Sequence, residues 1–109
     1  MLLKVGRHLR PAENFKLIVG REEGENRFME GYRKQFTHLI TVSHPGPLVL
    51  LDGDPSKEDL LVAARLAARF SQGKNAASVR VDVHVKNGET LEMDVPPYMN
   101  DDIPVGWYL

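Results

Sequence analysis

VRVDVHVKNGETLEMDV, residues 79–95, is the most regular stretch of this sequence. Apolar side chains alternate with polar ones on both sides of Asn87-Gly88, a dipeptide that is typical of tight hairpin turns. The alternation predicts two strands that each bury one face, and the short connection between them predicts antiparallel pairing. The stretch therefore predicts a β-hairpin.

The side chains of this hairpin also predict its register. A two-residue loop would place Val83 opposite Glu92, whereas a three-residue loop over residues 86–88, with Gly88 in the left-handed conformation, places Val83 opposite Leu91. A shift of one residue would turn every apolar side chain from the core to water. We therefore expect the three-residue loop.

A helix is predicted before the hairpin, over residues 56–72. Ser56 is a natural N-cap, and Asp59 follows it at the spacing of a capping box. Gly73 stands where a C-terminal cap is expected. The apolar stripe of this helix is predicted to consist of Leu60, Leu61, Ala64, Ala67, Ala68 and Ser71.

The first half of the chain predicts a shorter helix and four strands. The helix, from Glu22 to about Lys34, carries acidic residues in its first turn, where the helix dipole favours them. The strands are predicted at residues 2–10, 15–20, 37–42 and 48–51. Together the elements predict an α+β fold, with a mixed or antiparallel sheet packed on one long helix plus a shorter helix. A chain of 109 residues is expected to form a single domain over residues 1–109.

Composition excludes several classes of protein and of site. The chain has no cysteine, so disulfides, thiolate metal sites and cysteine nucleophiles are excluded. No apolar run approaches the roughly 20 residues of a membrane helix, and the N-terminus lacks the pattern of a signal peptide. We therefore expect a cytoplasmic protein without membrane contact.

Charge is distributed unevenly along the chain. All 14 Lys and Arg lie within residues 1–86, where they exceed the acidic residues by four, whereas residues 87–109 carry five acids and no base. A chain with a net charge of −1 can therefore still present a basic face. The alternative is that both signs of charge are simply solvated surface.

Four segments, in their order along the chain, resemble a known family. They are Ile18-Val19-Gly20-Arg21 followed by Asn26, Pro45-Gly46, the alanine-rich stretch of residues 63–71, and the hairpin of residues 79–95. This order over roughly residues 5–86 resembles the NFACT-R family of RNA-binding domains. The similar branch is the one found C-terminal to the PP-loop ATPase domain of thiouridylase-like tRNA-modification proteins. Residues 96–109 lie outside the clear resemblance.

The resemblance implies an RNA-binding accessory domain of a tRNA-modification enzyme of the thiouridylase-like transferase class. The partner would be RNA, tRNA in particular, and a PP-loop ATPase domain would belong to the same full-length protein. The chain itself has no PP-loop motif, so it would be a fragment or a free-standing copy of the appended domain. The domain alone is expected not to be an enzyme, with no catalytic residues and no cofactor.

Basic residues in two regions are the candidates for RNA contact. Phosphate contacts need only exposed cations on a rigid scaffold, and few aromatic residues remain outside the core for stacking on bases. We expect recognition of the RNA backbone or shape. The candidate RNA-binding residues are Arg7, His8, Arg10, Arg21, Arg69 and Lys74, with Lys4 and Lys16 in the same region.

Two of the candidate sites have competing interpretations. Gly20-Arg21 before a helix could bind a phosphate, but the glutamates of the same turn would repel it and could simply satisfy the helix dipole. The four histidines have no metal-ligand spacing, so no metal site is expected, although His38 and His44 with an acid remain a formal possibility. We interpret His38 as a core or edge residue.

Two alternatives to RNA binding belong to other functional classes. In the first, the chain is a protein-interaction or dimerisation module that uses residues 107–109 as an apolar contact. In the second, it is a small enzyme that uses His38 or His44. Neither histidine has a neighbouring residue at a recognisable catalytic spacing, which disfavours the enzyme.

Overall fold

The structure, a computed structural model, describes residues 5–109 and contains six strands and two α-helices. The sheet order is β1-β2-β4-β3-β5-β6, and every pair of neighbouring strands is antiparallel. Short 3-10 helices follow α1 and end the chain. The elements are β1 (Arg7–Ala12), β2 (Phe15–Val19), α1 (Glu23–Glu30), β3 (Thr37–Thr41), β4 (Val49–Gly53), α2 (Lys57–Arg69), β5 (Val79–His84) and β6 (Thr90–Val95).

The predicted fold class, a sheet packed on one long helix plus a shorter helix, is wrong. The sheet dominates the structure, since α2 has 13 residues and α1 only 8. No parallel pair exists among the described strands, so the mixed sheet is excluded. The chain therefore folds as a six-stranded antiparallel sheet that carries two short helices.

The two helices lie on opposite faces of the sheet, and each covers its own core. Leu17 and Val19 of β2 belong to the larger core, which contains the buried face of α2. Ile18 lies between them and turns to the smaller core around Met29 of α1. Both faces of β2 are buried over its last three residues, so Leu17, Ile18 and Val19 form a continuous apolar run without the alternation of a half-exposed strand.

The hairpin has the predicted register. Val83 lies opposite Leu91, and the loop over residues 86–88 has Gly88 at a φ of +100°. That conformation is unfavourable for other residues, which explains the glycine. The register also brings Arg80 opposite Asp94, with Nε 2.6 Å and Nη2 2.9 Å from the two carboxylate oxygens.

The start of α2 is confirmed, but its end and part of its stripe are wrong. Ser56 Oγ accepts the Asp59 N–H at 3.1 Å, and the Asp59 carboxylate accepts the Ser56 N–H at 2.9 Å, which completes the capping box. The helix ends at Arg69 with Phe70 as C-cap, so Gly73 does not cap it. Leu61, predicted to be buried, is 46% exposed. The buried face instead includes Ala63 and Leu66.

The N-terminal elements differ from the prediction in their boundaries. β1 continues through Pro11-Ala12, with an irregularity between Leu9 and Ala12, so the turn contains only Glu13 and Asn14. The predicted start of this strand, residues 2–4, lies outside the described residues. α1 ends before Gly31, and a 3-10 helix at Arg33–Gln35 replaces its predicted last turn.

Residues 96–109 pack as part of the domain. Ile103 is buried in the larger core, and the rings of Tyr98 and Trp107 meet edge to face with centroids 6.0 Å apart. Tyr108 bridges to Leu9 of β1, and the Leu109 N–H donates to the His8 carbonyl at 3.0 Å. The chain end therefore covers part of the free edge of β1. None of the helices within residues 5–109 has the length and apolar character needed to cross a membrane.

Candidate nucleic-acid interface

A cleft of about 900 Å³ opens at one end of the sheet and is called the first cleft here. Three of the segments singled out in the sequence converge on it, from the end of β2, the β3–β4 loop and the end of α2. These segments are far apart along the chain, so only the fold brings them together. The lining residues are Arg7, Val19, Gly20, Arg21, Glu23, Asn26, Pro45, Gly46, Pro47, Phe70, Ser71, Gln72 and Lys74.

The β3–β4 loop forms one wall of the first cleft because it packs closely on the end of α2. The Gln72 N–H donates to the Pro45 carbonyl at 2.8 Å. A Cβ on Gly46 would lie only 2.8 Å from the Cβ of Ser71, closer than side chains approach. Ser71 is itself buried, and its hydroxyl donates to the Ala68 carbonyl at 2.6 Å. The Pro-Gly turn is therefore needed for loop and helix to meet.

Asn26 joins α1 to the strands on the opposite wall. Its Oδ1 accepts the Leu48 N–H at 3.2 Å, and the Gly20 N–H donates to the Leu48 carbonyl at 3.2 Å. A Cβ on Gly20 would overlap the Asn26 side chain. The spacing of Gly20 and Asn26 in the sequence is therefore explained by a direct contact.

Three cations line the first cleft. The Arg7 guanidinium lies 5.1 Å from the centre of the Phe70 ring, a cation–π contact that leaves its charge at the cleft surface. Neither Arg7 nor Lys74 forms an ion pair within the described part of the chain. Both are exposed, so both charges are available to an anion in the cleft.

Arg21, the third cation, is held by Glu25. Its Nη2 and Nε lie 2.8 and 3.1 Å from the carboxylate oxygens, and its N–H donates to the same group at 2.9 Å. The Gly6 N–H also donates to this carboxylate, at 3.0 Å. Three of the outer Arg21 N–H groups remain free for a ligand. Glu25 therefore orients Arg21 and partly neutralises it.

The N-terminus of α1 opens towards the same cleft. Glu22 stands at the N-cap and makes no capping hydrogen bond with its side chain, so the first backbone N–H groups of the helix can donate to an anion. Glu23 lines the cleft as well and opposes an anion there. Its charge is paired with Arg27 at 2.9 Å.

The other predicted RNA-binding residues lie outside the first cleft. Successive residues of a strand point to opposite faces, so His8 and Arg7 are separated by the sheet. His8 Nε2 lies 3.0 Å from the Val5 carbonyl, and Arg10 Nη1 donates to the Glu13 carbonyl at 3.0 Å. Arg69 ends α2 without lining the cleft, and Lys4 lies outside the described residues. The predicted basic surface is therefore divided.

Charge alone could not identify the uncharged lining residues. Asn26, Phe70, Ser71 and Gln72 belong to no basic cluster. For Asn26, Phe70 and Ser71 the sequence signal was membership of the segments that carry the family resemblance, whereas Gln72 lies one residue beyond the alanine-rich segment.

The histidines of the chain do not assemble a metal centre. His38 stacks on His84, with ring centroids 4.7 Å apart, whereas His44 lies in the β3–β4 loop with Nδ1 2.8 Å from the Ser43 hydroxyl. Within residues 5–109 no three His, Asp or Glu side chains are grouped so that they could hold a metal ion. The groups that the first cleft offers to a ligand are therefore its cations and hydrogen-bond donors.

Acid should weaken the contacts of Glu25. Hydrogen bonds from Arg21 and from the Gly6 and Arg21 N–H groups lower the pKa of Glu25 from 4.5 to about 2. A carboxylate with a lowered pKa stabilises the fold above its ordinary pKa, and this stabilisation is lost as the pH falls through the lowered value. We expect the difference in unfolding free energy between wild type and Glu25→Gln to be constant above about pH 4.5 and to shrink towards about pH 2. Urea unfolding across this range measures it, and a constant difference would contradict the assignment.

Known proteins resemble this chain in sequence and in fold. A family model described as "NFACT protein RNA binding domain" matches residues 6–108. No curated protein matches the chain. The solved structure of the C-terminal of the fibronectin/fibrinogen-binding protein from Streptococcus suis has a similar fold, with a TM-score of 0.76 and 25% sequence identity over 92% of this chain. The chain spans 47% of that structure.

Proposed function

The chain belongs to the family of NFACT protein RNA binding domains, and from this premise we propose that it binds structured RNA through the first cleft. Arg7, Arg21 and Lys74 would contact backbone phosphates. The proposal rests on one observation, which is that three cations line the same cleft as the segments of the family resemblance. The ligand would be held by charge and shape, because Phe70 is the only aromatic residue among the described lining residues.

The uncapped N-terminus of α1 supports phosphate as the group that is bound. Backbone N–H groups at a helix start and nearby guanidinium groups are both donors to phosphate oxygens. Arg7 approaches the cleft from β1, where it pairs with Val19 and contacts Phe70, and Lys74 approaches from the segment after α2. A phosphate backbone that runs along the cleft could therefore contact cations from three segments of the chain.

Neutralising Lys74 should weaken RNA binding in a salt-dependent manner. Each phosphate contact releases counterions, so loss of one contact lowers the slope of log affinity against log salt by about one unit. We expect this reduction for Lys74→Gln with tRNA, measured by fluorescence anisotropy over a range of salt concentrations. The effect should be alike for RNAs of different sequence, because a phosphate contact reads no base.

Lys57→Gln is the matched control, because Lys57 is an exposed lysine in the first turn of α2 and does not line the first cleft. We expect its salt slope to equal that of the wild type. Equal slopes for wild type, Lys74→Gln and the double variant Arg7→Gln/Lys74→Gln would contradict the proposal. Amide shifts on tRNA addition that gather at Trp107 and Tyr108 would contradict it too.

A finer proposal concerns the biological RNA. We propose that the RNA is tRNA and that the domain serves a tRNA-modification enzyme with a PP-loop ATPase domain. The support is the resemblance of the quoted segments to the domain appended to such enzymes. Sequencing the complete reading frame tests the context, and a full-length protein without a PP-loop motif would contradict it.

A protein-interaction module is the second candidate function. Its supporting observation is a group of exposed apolar side chains near the chain end, with Met99 64%, Val105 87% and Leu109 70% exposed. Light scattering tests the dimer form of this proposal. A monomer that binds RNA through the first cleft would favour RNA binding over it.

A further inference from the structure

A second cleft, of about 220 Å³, lies at the opposite end of the sheet from the first. β3 begins beside it and β5 ends beside it, whereas the other ends of both strands lead to the loops of the first cleft. Five strand residues at about 3.3 Å each place the two clefts roughly 15 Å apart. The basic and imidazole side chains that line the second cleft are Arg33, Lys34, His38, His84 and Lys86.

Two stacked imidazoles form part of this cleft. His38 and His84 are cross-strand partners on β3 and β5, and their rings are 18° from parallel. Nδ1 of His38 lies 3.4 Å from the Phe36 carbonyl, and Nδ1 of His84 lies 3.3 Å from the Thr90 hydroxyl. His38 also forms a hydrogen bond with the Arg33 backbone, whereas His84 forms no second hydrogen bond with a described residue. The His84 ring therefore keeps one nitrogen for a ligand.

The charges around this cleft favour an anion. Lys34 and Lys86 are exposed and form no ion pair with any described residue. Arg33 is paired with Glu30 at 3.1 Å, and Glu89 is the single acid among the described lining residues. Further acids on this face of the sheet, Asp82 and Glu92, lie next to Arg80.

We propose that the second cleft binds a phosphate group of a nucleic acid. Lys34 and Lys86 supply positive charge, the imidazole of His84 supplies a hydrogen-bonding nitrogen, and the imidazole of His38 stacks on it. The identity of the ligand rests on the proposed RNA-binding function, whereas the phosphate chemistry rests on the side chains of this cleft. Two phosphate sites on one rigid sheet would select RNA by the spacing of its backbone, in addition to its charge.

Proton uptake should accompany anion binding at this cleft. Burial lowers the pKa of His38, the charges of His84 and Arg33 lower it further, and hydrogen bonds to the Phe36 and Arg33 backbone oppose the shift. His38 therefore binds a proton less readily in the free protein than an ordinary histidine. A bound anion favours the protonated ring, so the affinity for an anion should rise as the pH falls.

Sulfate is a suitable probe, because its charge does not change between mildly acidic and mildly basic pH. We expect saturable amide shifts at His84 and Lys86 in sulfate titrations followed by NMR, with tighter binding at about pH 6 than at about pH 8. Lys86→Gln should weaken sulfate binding about three- to fivefold, the size expected for one exposed charge pair. Lys57→Gln, outside the lining of the second cleft, should leave sulfate binding unchanged. The double variant His38→Gln/His84→Gln should abolish the pH dependence.

Absence of saturable shifts at His84 and Lys86 would overturn the phosphate site. If sulfate binds, the tRNA affinity of Lys86→Gln distinguishes a nucleic acid from a free phosphate compound as the source of the phosphate group. A lower tRNA affinity of Lys86→Gln, with unchanged shifts at Lys74, supports nucleic acid as the ligand. Sulfate binding with a tRNA affinity that Lys86→Gln leaves unaltered would overturn the assignment to nucleic acid and point to a free phosphate compound. If tRNA shifts no amide at Lys74 while sulfate still shifts those of His84 and Lys86, the proposed function of the first cleft is contradicted. The phosphate site of the second cleft is then unaffected.

Discussion

Leu66→Ala should lower the free energy of unfolding by about 2–5 kcal/mol, the range found when a buried leucine is truncated and a cavity remains. Leu66 lies in the last third of α2 and is 0% exposed, in the core that joins this helix to the sheet. Alanines beside it on the helix hold α2 close to the strands. The rigid sheet below can fill only part of the cavity, so the effect should be large.

Leu61→Ala is the matched control in the same helix. Leu61 is 46% exposed, so its truncation removes little buried surface and leaves no cavity. We expect a change of less than about 1 kcal/mol in urea or thermal unfolding. If both variants lost the same unfolding free energy, α2 would present a different face to the sheet, one that includes Leu61, as the sequence analysis predicted.

Local signals account for the features that could be predicted from the sequence. The register of the β5–β6 hairpin follows from the alternation around Asn87-Gly88, and the start of α2 follows from Ser56 and Asp59. In both cases the residues that determine the geometry are neighbours along the chain. Sequence is therefore sufficient there, and the structure confirms both predictions.

The layering of the fold depends on long-range contacts that the sequence does not display. Ile18 turns to α1 while its neighbours turn to α2, and only the assembled sheet shows that both faces are covered. α2 is apolar over a wide arc, so spacing alone did not decide between Leu61 and Leu66. Final burial depends on which side of that arc meets β3 and β5.

The candidate site could be predicted in part. Arg7, Arg21 and Lys74 were chosen for charge, and the structure brings them to one cleft. Strand alternation could have separated Arg7 from His8 at the sequence level, because neighbouring strand residues face opposite sides. The second cleft was not predicted, since the pairing of His38 with His84 depends on the contact between β3 and β5.

Gly20→Ala should lower the free energy of unfolding by about 1–3 kcal/mol, the cost of a buried hydrogen-bonding group left without its partner. The new Cβ would overlap Asn26, whose Oδ1 accepts the Leu48 N–H. Asn26 would have to move, and Leu48 is buried at the wall of the first cleft. Chemical unfolding measures the loss, and the amide shift of Leu48 reports the broken hydrogen bond.

Gly24→Ala is the same substitution four residues later and should have the opposite sign. No atom lies within 4 Å of a Cβ at Gly24, and alanine favours a helix over glycine by up to about 1 kcal/mol. We therefore expect a variant that is as stable as the wild type or more stable, with the Leu48 amide unshifted. If Gly20→Ala were equally harmless, the Gly20–Asn26 contact would not hold α1 against the strands. The geometry of this wall would then need another cause, such as the Arg21–Glu25 pair that also joins the end of β2 to α1.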